Sequence, residues 1–236
     1  MEAQRHASSD PLIGRGVELG PGVELGRNVV IYEGARIGPG AILQDGAVVG
    51  KSPHLGPLST ASRDPLLPTV IGEGAAVLCG AIVFAGATLE PGAIAGDQSH
   101  VRERSRVGRG SVIGRGSSVD NDVLIGERVR VQTNCYVTAH TVIEDDVFIG
   151  PGVITTNDDS MARHPEGEPR IGPTLRRACR IGGGVVLCPG VEVGEEAFVG
   201  AGAVVVRDVL ARAVVVGVPA QRIRSVPDED LLERWR

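Results

Sequence analysis

An aliphatic side chain recurs at every sixth position along most of this chain. From Ile13 the series runs through Leu19, Leu25, Ile31, Ile37 and Leu43 to Val49. It resumes at Ile71, keeps its phase to Ile149, and returns from Ile181 to Val205. Of 26 such slots, 25 hold Ile, Leu or Val, and Ala95 is the exception. A second column lies four residues further on. It holds Val17, Val23 and Val29, then alanines from Ala35 to Ala93, then serines from Ser99 to Ser117. A period of six suits neither a helix, with its 3.6-residue turn, nor one long strand, with its alternation of two. It suits a short extended segment followed by a corner. β-Branched residues favour the segments, and glycine permits the corners. Three segments close a triangular coil of 18 residues, and coils stack through parallel ladders about 4.8 Å apart. The slots then give eight to nine coils, with the aliphatic column inside and the small column leaving it room.

Two stretches break the beat. The first, 51–69, opens with "KSPHLGPLSTASRDPLLP" and is rich in proline. It reads as an excursion from one corner, either a surface loop or a wall of a substrate pocket. The second, 156–179, reads "TNDDSMARHPEGEPRIGPTLRRAC". A stretch this long without the repeat is usually functional or disordered. The expected organisation is an N-terminal arm, 1–12, a coil domain, 13–206, and a C-terminal segment, 207–236. In that segment "VPDEDLLERWR" predicts a short helix with Asp228 as N-cap, acids early and arginines late. Leu231, Leu232 and Trp235 are then expected to cover the open end of the last coil.

Composition narrows the possibilities. The chain has 236 residues, and only 3% are aromatic, so the core is built from small aliphatic side chains. A net charge of -5 offers no general reason for nucleic-acid binding. Its four cysteines form no CxxC pair, which suits free thiols in a reducing compartment. No signal-peptide pattern and no membrane-length apolar run is found, so a cytoplasmic protein is expected, with no membrane partner.

The repeat [LIV]-G-x-x-x-x, carried from about residue 13 to 206 with two interruptions, resembles the hexapeptide-repeat acyltransferases. That resemblance implies an all-β, left-handed parallel β-helix, a handedness that the period alone does not supply. It also implies a homotrimer with sites between subunits. The last third, with "IEDDVFIGPGVITTND", "IGGGVVLCPGVEVGEEAFVGAGAVVVRDV" and "VVVGVPAQRI", resembles the acetyl-CoA-dependent branch. It is most similar to enzymes that acylate the amino group of nucleotide-linked amino sugars. Those enzymes carry Thr-Asn at the start of the loop, matched here by Thr156-Asn157. Relatives that acylate hydroxyls place a catalytic histidine there. An alcohol needs a general base before it can attack a thioester, whereas a neutral amine is already a nucleophile. The expected reaction is therefore transfer of an acetyl or similar group from acetyl-CoA, or another acyl-CoA, to an amine on a small sugar-like acceptor. Asn157 would orient the amine or the thioester carbonyl.

Spacing adds a second catalytic candidate. Residues one coil apart stack, which sets His140 between Asp122 and Asp158 at equivalent corners. An imidazole between carboxylates is held in one tautomer and suits a base; the alternative is a solvated ladder of polar corner residues. Glu144 and Asp145 are candidates to hold a substrate ammonium, and Gln132, Asn134, Asp158 and His164 to contact the acceptor. The resemblance places the donor's pantetheine arm along Gly183, Ala201 and Ala203, and its phosphates near Arg222, helped by Arg207 and Arg224. Arg102, Arg104, Arg106 and Arg109 read either as outward solvated charge or as a diphosphate site. Two other readings remain: an O-acetyltransferase with His140 as base, and a non-catalytic repeat scaffold. A zinc enzyme on the same coil would need three clustered histidines. The five present have no close ligand spacing, and no metal is expected.

Overall fold

The computed structural model describes residues 10–163, 165 and 168–235. Its two-residue strands repeat with a short corner after each, and every third strand pairs. The result is a left-handed triangular prism with three sheets as faces. Among the described residues the sheets hold 10, 9 and 11 strands. Face 1 begins with Leu12–Ile13, face 2 with Glu18–Leu19 and face 3 with Glu24–Leu25. All strands pair in parallel except the last, Gln221–Ser225, which turns back antiparallel on Ala213–Val216. Each residue of a strand pairs with the one a full coil further on, as in Leu12↔Val30 and His100↔Ser118.

The aliphatic column is the core. Ile31, Leu43, Val83, Ile113, Ile149, Ile181 and Val205 are at most 1% exposed, and each fully buried aliphatic stabilises by about 1.5–3 kcal/mol. The serine column is also buried; Ser99 Oγ has no hydrogen-bond partner, but from Ser105 to Ser117 the polarity is satisfied inside the wall. Ser111 Oγ donates to Gly126 O and accepts from Val129 N, both at 2.8 Å. Ser105 and Ser117 repeat the arrangement at the neighbouring corners. Cys135 and Cys179 continue this column, and burial pushes both thiols up, so they behave as small apolar groups.

Four slots that the beat omitted are occupied: Thr155, Leu175, Val209 and Val215. They bring the prism to about ten coils. Thr155 is polar yet fully buried. Its Oγ1 accepts from Thr138 N at 2.7 Å and donates to Tyr136 O at 3.2 Å, in place of a ladder carbonyl. Val215 escaped the count because the last coil is shortened: Val199 pairs with Val215 and not with the residue at the usual offset, Gly217.

Both excursions leave the prism at the edge between faces 1 and 2. The first departs after Val48–Lys51 and rejoins at Val70–Ile71. It folds over the same edge, where the Leu66 side chain lies against the Gly86 corner. The second departs after Ile154–Thr155 and rejoins at Thr174–Leu175, so it spans 156–173 and ends earlier than the expected 179. It lengthens its coil without disturbing the register, since Val142 pairs with Thr174 and Ile154 with Val186. Asp158 organises its first turn. That carboxylate accepts from Ala162 N at 2.8 Å, Ser160 N at 3.0 Å, Ser160 Oγ at 2.9 Å and Arg170 Nη1 at 2.8 Å. The Ala162 bond contributes most to lowering its pKa to about 2, the Ser160 bonds and the Arg170 charge add to it, and desolvation opposes it.

The C-terminal segment differs from expectation. Asp228–Asp230 and Leu232–Arg234 form two 3₁₀ turns, separated by extended Leu231, and the cap position is Pro227 rather than Asp228. The tail does not close the end of the last coil. It runs back beside the edge between faces 2 and 3, where Leu232 N donates to Glu196 Oε1 at 2.9 Å and Arg177 pairs with Glu233 at 3.2 Å. Trp235 remains 76% exposed. No described helix is long and apolar enough to cross a membrane.

Two outcomes follow. Thr155→Val leaves a buried N–H without its partner and is expected to cost about 1–3 kcal/mol in a denaturant titration, while Thr155→Ser keeps most of the stability; an unchanged midpoint in the valine variant would show the bond to be dispensable. The Asp158 pKa is lowered on folding, so its contribution is complete above the ordinary value of 3.8 and fades as pH falls towards 2. Hydrogen exchange, corrected for intrinsic rate, should show the Ser160 and Ala162 amides protected near neutral pH and released on acidification. In Asp158→Asn they should exchange fast throughout.

Candidate active site

The edge between faces 1 and 2 carries four ordinary corners between the two excursions. Their tips are Gly86, Arg104, Asp122 and His140, all at positive φ. Strand spacing puts the two excursions about 24 Å apart along this edge. The corners form a polar floor. Arg104 holds Asp122 through two hydrogen bonds, at 2.6 and 2.9 Å, and Asn121 adds a third at 2.7 Å. Arg102 bridges buried Glu103 at 2.7 Å and Asp120 at 2.6 Å. Asp120 also accepts from the Tyr136 hydroxyl at 3.0 Å. Burial pushes the Tyr136 phenol up, and the Asp120 charge adds to the shift. Sequence reasoning missed this network, although Arg104 stands one coil before Asp122, by the same arithmetic that aligns Asp122 with His140.

His140 is exposed at its corner, next to the root of the second excursion. Asn157 Nδ2 donates to Ala139 O at 3.2 Å, which fixes the Asn157 amide beside the histidine. Thr156 anchors the root through its N–H and Oγ1, both donating to Leu187 O. The expected sandwich of His140 between two carboxylates is only half formed. Asp122 lies close enough for charge interaction with His140, and its pKa is lowered: burial opposes this, but the Arg104 and Asn121 hydrogen bonds prevail. Its hydrogen bonds go to Arg104 and Asn121, however, and those of Asp158 go to its own excursion. The reason is that the chain leaves the coil at 156, so the register of Val142 with Thr174 stacks Gly172, not Asp158, under His140. Behind Asn157 the excursion encloses a cavity of about 240 Å³ lined by Asn157, Asp158, Ser160, Glu168 and Arg170. His164 lies outside the described residues.

The other candidates sit on the other two edges. Glu144 and Asp145 belong to the edge between faces 2 and 3, and both are occupied there. Glu144 accepts from Arg176 Nη1 and Arg177 N, each at 2.8 Å, and Asp145 accepts from Glu127 N at 2.8 Å. They border a hollow of about 550 Å³ on face 2 with Arg106 and Leu124, away from His140. Gln132, Asn134, Gly183, Ala201 and Ala203 lie on the edge between faces 3 and 1. There Asn134 is a corner tip at φ 58, its Oδ1 lying over Gly116. That edge has glycine tips at Gly152, Gly184 and Gly202, and a Cβ at any of them would meet nothing within 4 Å. Such a strip lets a slender ligand approach backbone, which fits a pantetheine arm. Ala203 itself is fully buried, so only its backbone is available. Arg207 and Arg222 meet at a cavity of about 280 Å³ at the end of the prism, whereas Arg224 is outside its lining. Arg102, Arg104 and Arg106 are paired with carboxylates, which favours the reading as structural surface charge. Among the described residues no three of His, Cys, Asp and Glu are grouped to hold a metal ion.

Comparison with known proteins agrees with this architecture. The description "Bacterial transferase hexapeptide (six repeats)" matches residues 11–51 and 172–207. The galactoside O-acetyltransferase of Escherichia coli is 32% identical over 117 residues, covering 44% of this chain and 58% of that protein. A putative acetyltransferase of Saccharomyces cerevisiae is 33% identical over 116 residues, covering 47% of this chain and 59% of that one. The chain thus spans less than two thirds of the length of these curated relatives. Among solved structures, an Arabidopsis UDP-N-acetylglucosamine acyltransferase aligns with TM-score 0.59 over 92% of this chain and 73% of that one, at 15% identity, a likeness of fold. The six-residue beat and the triangular coil agree with these matched repeats, so the chain is similar to the bacterial transferase hexapeptide proteins over residues 11–51 and 172–207.

Proposed function

We propose that this protein is an acyltransferase that moves an acetyl or similar group from acetyl-CoA, or another acyl-CoA, to the amine of a small sugar-like acceptor. The observation that carries the proposal is the hydrogen bond from Asn157 to Ala139, which sets an oriented amide and an exposed imidazole side by side at the root of an excursion. In this reading Asn157 Oδ1 accepts from the acceptor's N–H and aims its lone pair at the thioester carbonyl. A carbon–nitrogen bond forms and the carbon–sulfur bond breaks. His140 takes the proton that the nitrogen sheds, and that proton leaves on the CoA thiol. No general base is needed to create the nucleophile, since the amine attacks in its neutral form.

The glycine strip that fits a pantetheine arm lies on a different edge from Asn157. A site uniting them is best supplied by two copies, the edge between faces 1 and 2 of one against the edge between faces 3 and 1 of the next. A cyclic trimer closes such heterologous contacts, and the assembly is proposed on that ground. Hydroxyl acylation is the second reading. It is favoured by the exposure of His140 and by the matched relative that is named an O-acetyltransferase.

Thiol release with matched amine and alcohol acceptors tests both readings. Asn157→Ala is expected to lower kcat by roughly 10²–10³-fold, as for loss of an oriented polar group in an acyl-transfer site, with donor affinity unchanged. His140→Ala should cost an amine acceptor less than an alcohol acceptor, because only the alcohol requires a base. Full turnover in Asn157→Ala would remove that residue from the mechanism.

A further inference from the structure

Face 3 carries an alternation that acyl transfer does not use. Successive outward residues are Arg130, Phe148, Arg180 and Phe198, each paired in register with the next. The Arg180 guanidinium stacks on the Phe198 ring at 5.3 Å, and its Nε is buried with no hydrogen-bond partner. Neither Arg130 nor Arg180 is ion-paired with a carboxylate among the described residues. The tail arches beside this ladder, tied down by Arg177–Glu233 and Leu232–Glu196. Between tail and ladder lies a cavity of about 670 Å³, bounded by Arg130, Phe148, Arg180, Asp230, Leu232 and Trp235.

We infer that this cavity is a binding site for a nucleoside phosphate, separate from the acyl-transfer edge. The volume suits a ligand of that size. Phe148, 38% exposed, and Trp235, 76% exposed, offer faces on which a base can stack. Arg130 and Arg180 stand two strand spacings apart, about 10 Å, and offer planar forks for phosphate oxygens. The cavity also holds carboxylates, and they leave this assignment intact. Asp146 is neutralised by Arg128 at 2.8 Å, and Glu196 is turned to the Leu232 amide. Asp230 remains at the rim as an acceptor for sugar hydroxyls. The site does not depend on the activity proposed above.

Trp235 is the only tryptophan in the chain, so its fluorescence reports on this cavity. Titration of the full-length protein with AMP is expected to quench it saturably, with adenosine and inorganic phosphate each at least tenfold weaker. Arg130→Gln alters an exposed side chain, and it should weaken AMP about tenfold with unchanged thermal stability; Arg180→Gln should do the same. Saturating acetyl-CoA should leave the AMP titration unmoved. The inference is overturned if AMP gives no saturable quench at millimolar concentration, if both arginine variants bind as the parent does, or if acetyl-CoA displaces AMP, which would make the cavity part of the donor site.

Discussion

Every coil must bring its backbone back to the same corner one strand spacing further on, with an aliphatic side chain facing inward. This parallel ladder is the constraint that the rest of the structure obeys. It fixes which residue stacks on which, and it forces every insertion outward at a corner, because an insertion within a strand would turn the aliphatic column to the surface. Both excursions lengthen their coils in this way. Val48 still pairs with Ile82 across the first, with one bulge at its root, where Phe84 pairs with Lys51 and Gly50 is skipped, and Val142 pairs with Thr174 across the second. The polar residues admitted to the wall obey the same rule. Ser105, Ser111, Ser117 and Thr155 are tolerated because each replaces a backbone partner with a side-chain oxygen of the same reach.

The ladder also sorts chemistry. Both excursions, the Arg104–Asp122 pair, His140 and Asn157 fall on one edge. Glu144, Asp145, Arg176 and Arg177 fall on the second, as an ion-paired seam that holds the tail. The glycine tips fall on the third. A straight prism cannot bend one edge to meet another, so residues on different edges act together only across a contact between copies. The seam on the second edge is structural in the single chain, which explains why acidic residues at Glu144 and Asp145 are poor candidates for holding an ammonium group: their oxygens are already taken by Arg176, by Arg177 N and by Glu127 N.

The fold was legible because hydrophobic period and coil geometry are one fact stated twice. What escaped was local. Thr155 hid a slot by being polar, Leu175 was in phase but lay inside a stretch already read as loop, and Val209 and Val215 fell in a shortened coil. The tail's acidic and apolar residues do form helical turns, but extended Leu231 splits them, and Glu196 and Arg177 draw them sideways. The site was less legible, although much of it was present in the numbering. Counting slots by threes assigns His140 and both excursions to the same edge and separates them from Glu144 and Gly183. Stacking coil on coil failed only at Asp158, where the chain has left the prism. The Asn157–Ala139 bond had no signature in spacing, since it depends on how the excursion starts.

The claim that one copy supplies the Asn157 edge and its neighbour the glycine edge is tested most directly by subunit mixing. Asn157→Ala disables the first edge, and Ala201→Trp, at an exposed position on the glycine edge that needs no positive φ, blocks the second. Each variant alone should be nearly inactive. When the two are unfolded together in equal amounts and reassembled, about a quarter of the contacts between copies should carry both intact edges, and about a quarter of the parent activity should return. Activity no greater than that of the separate variants would contradict a shared site and return all of the chemistry to a single chain.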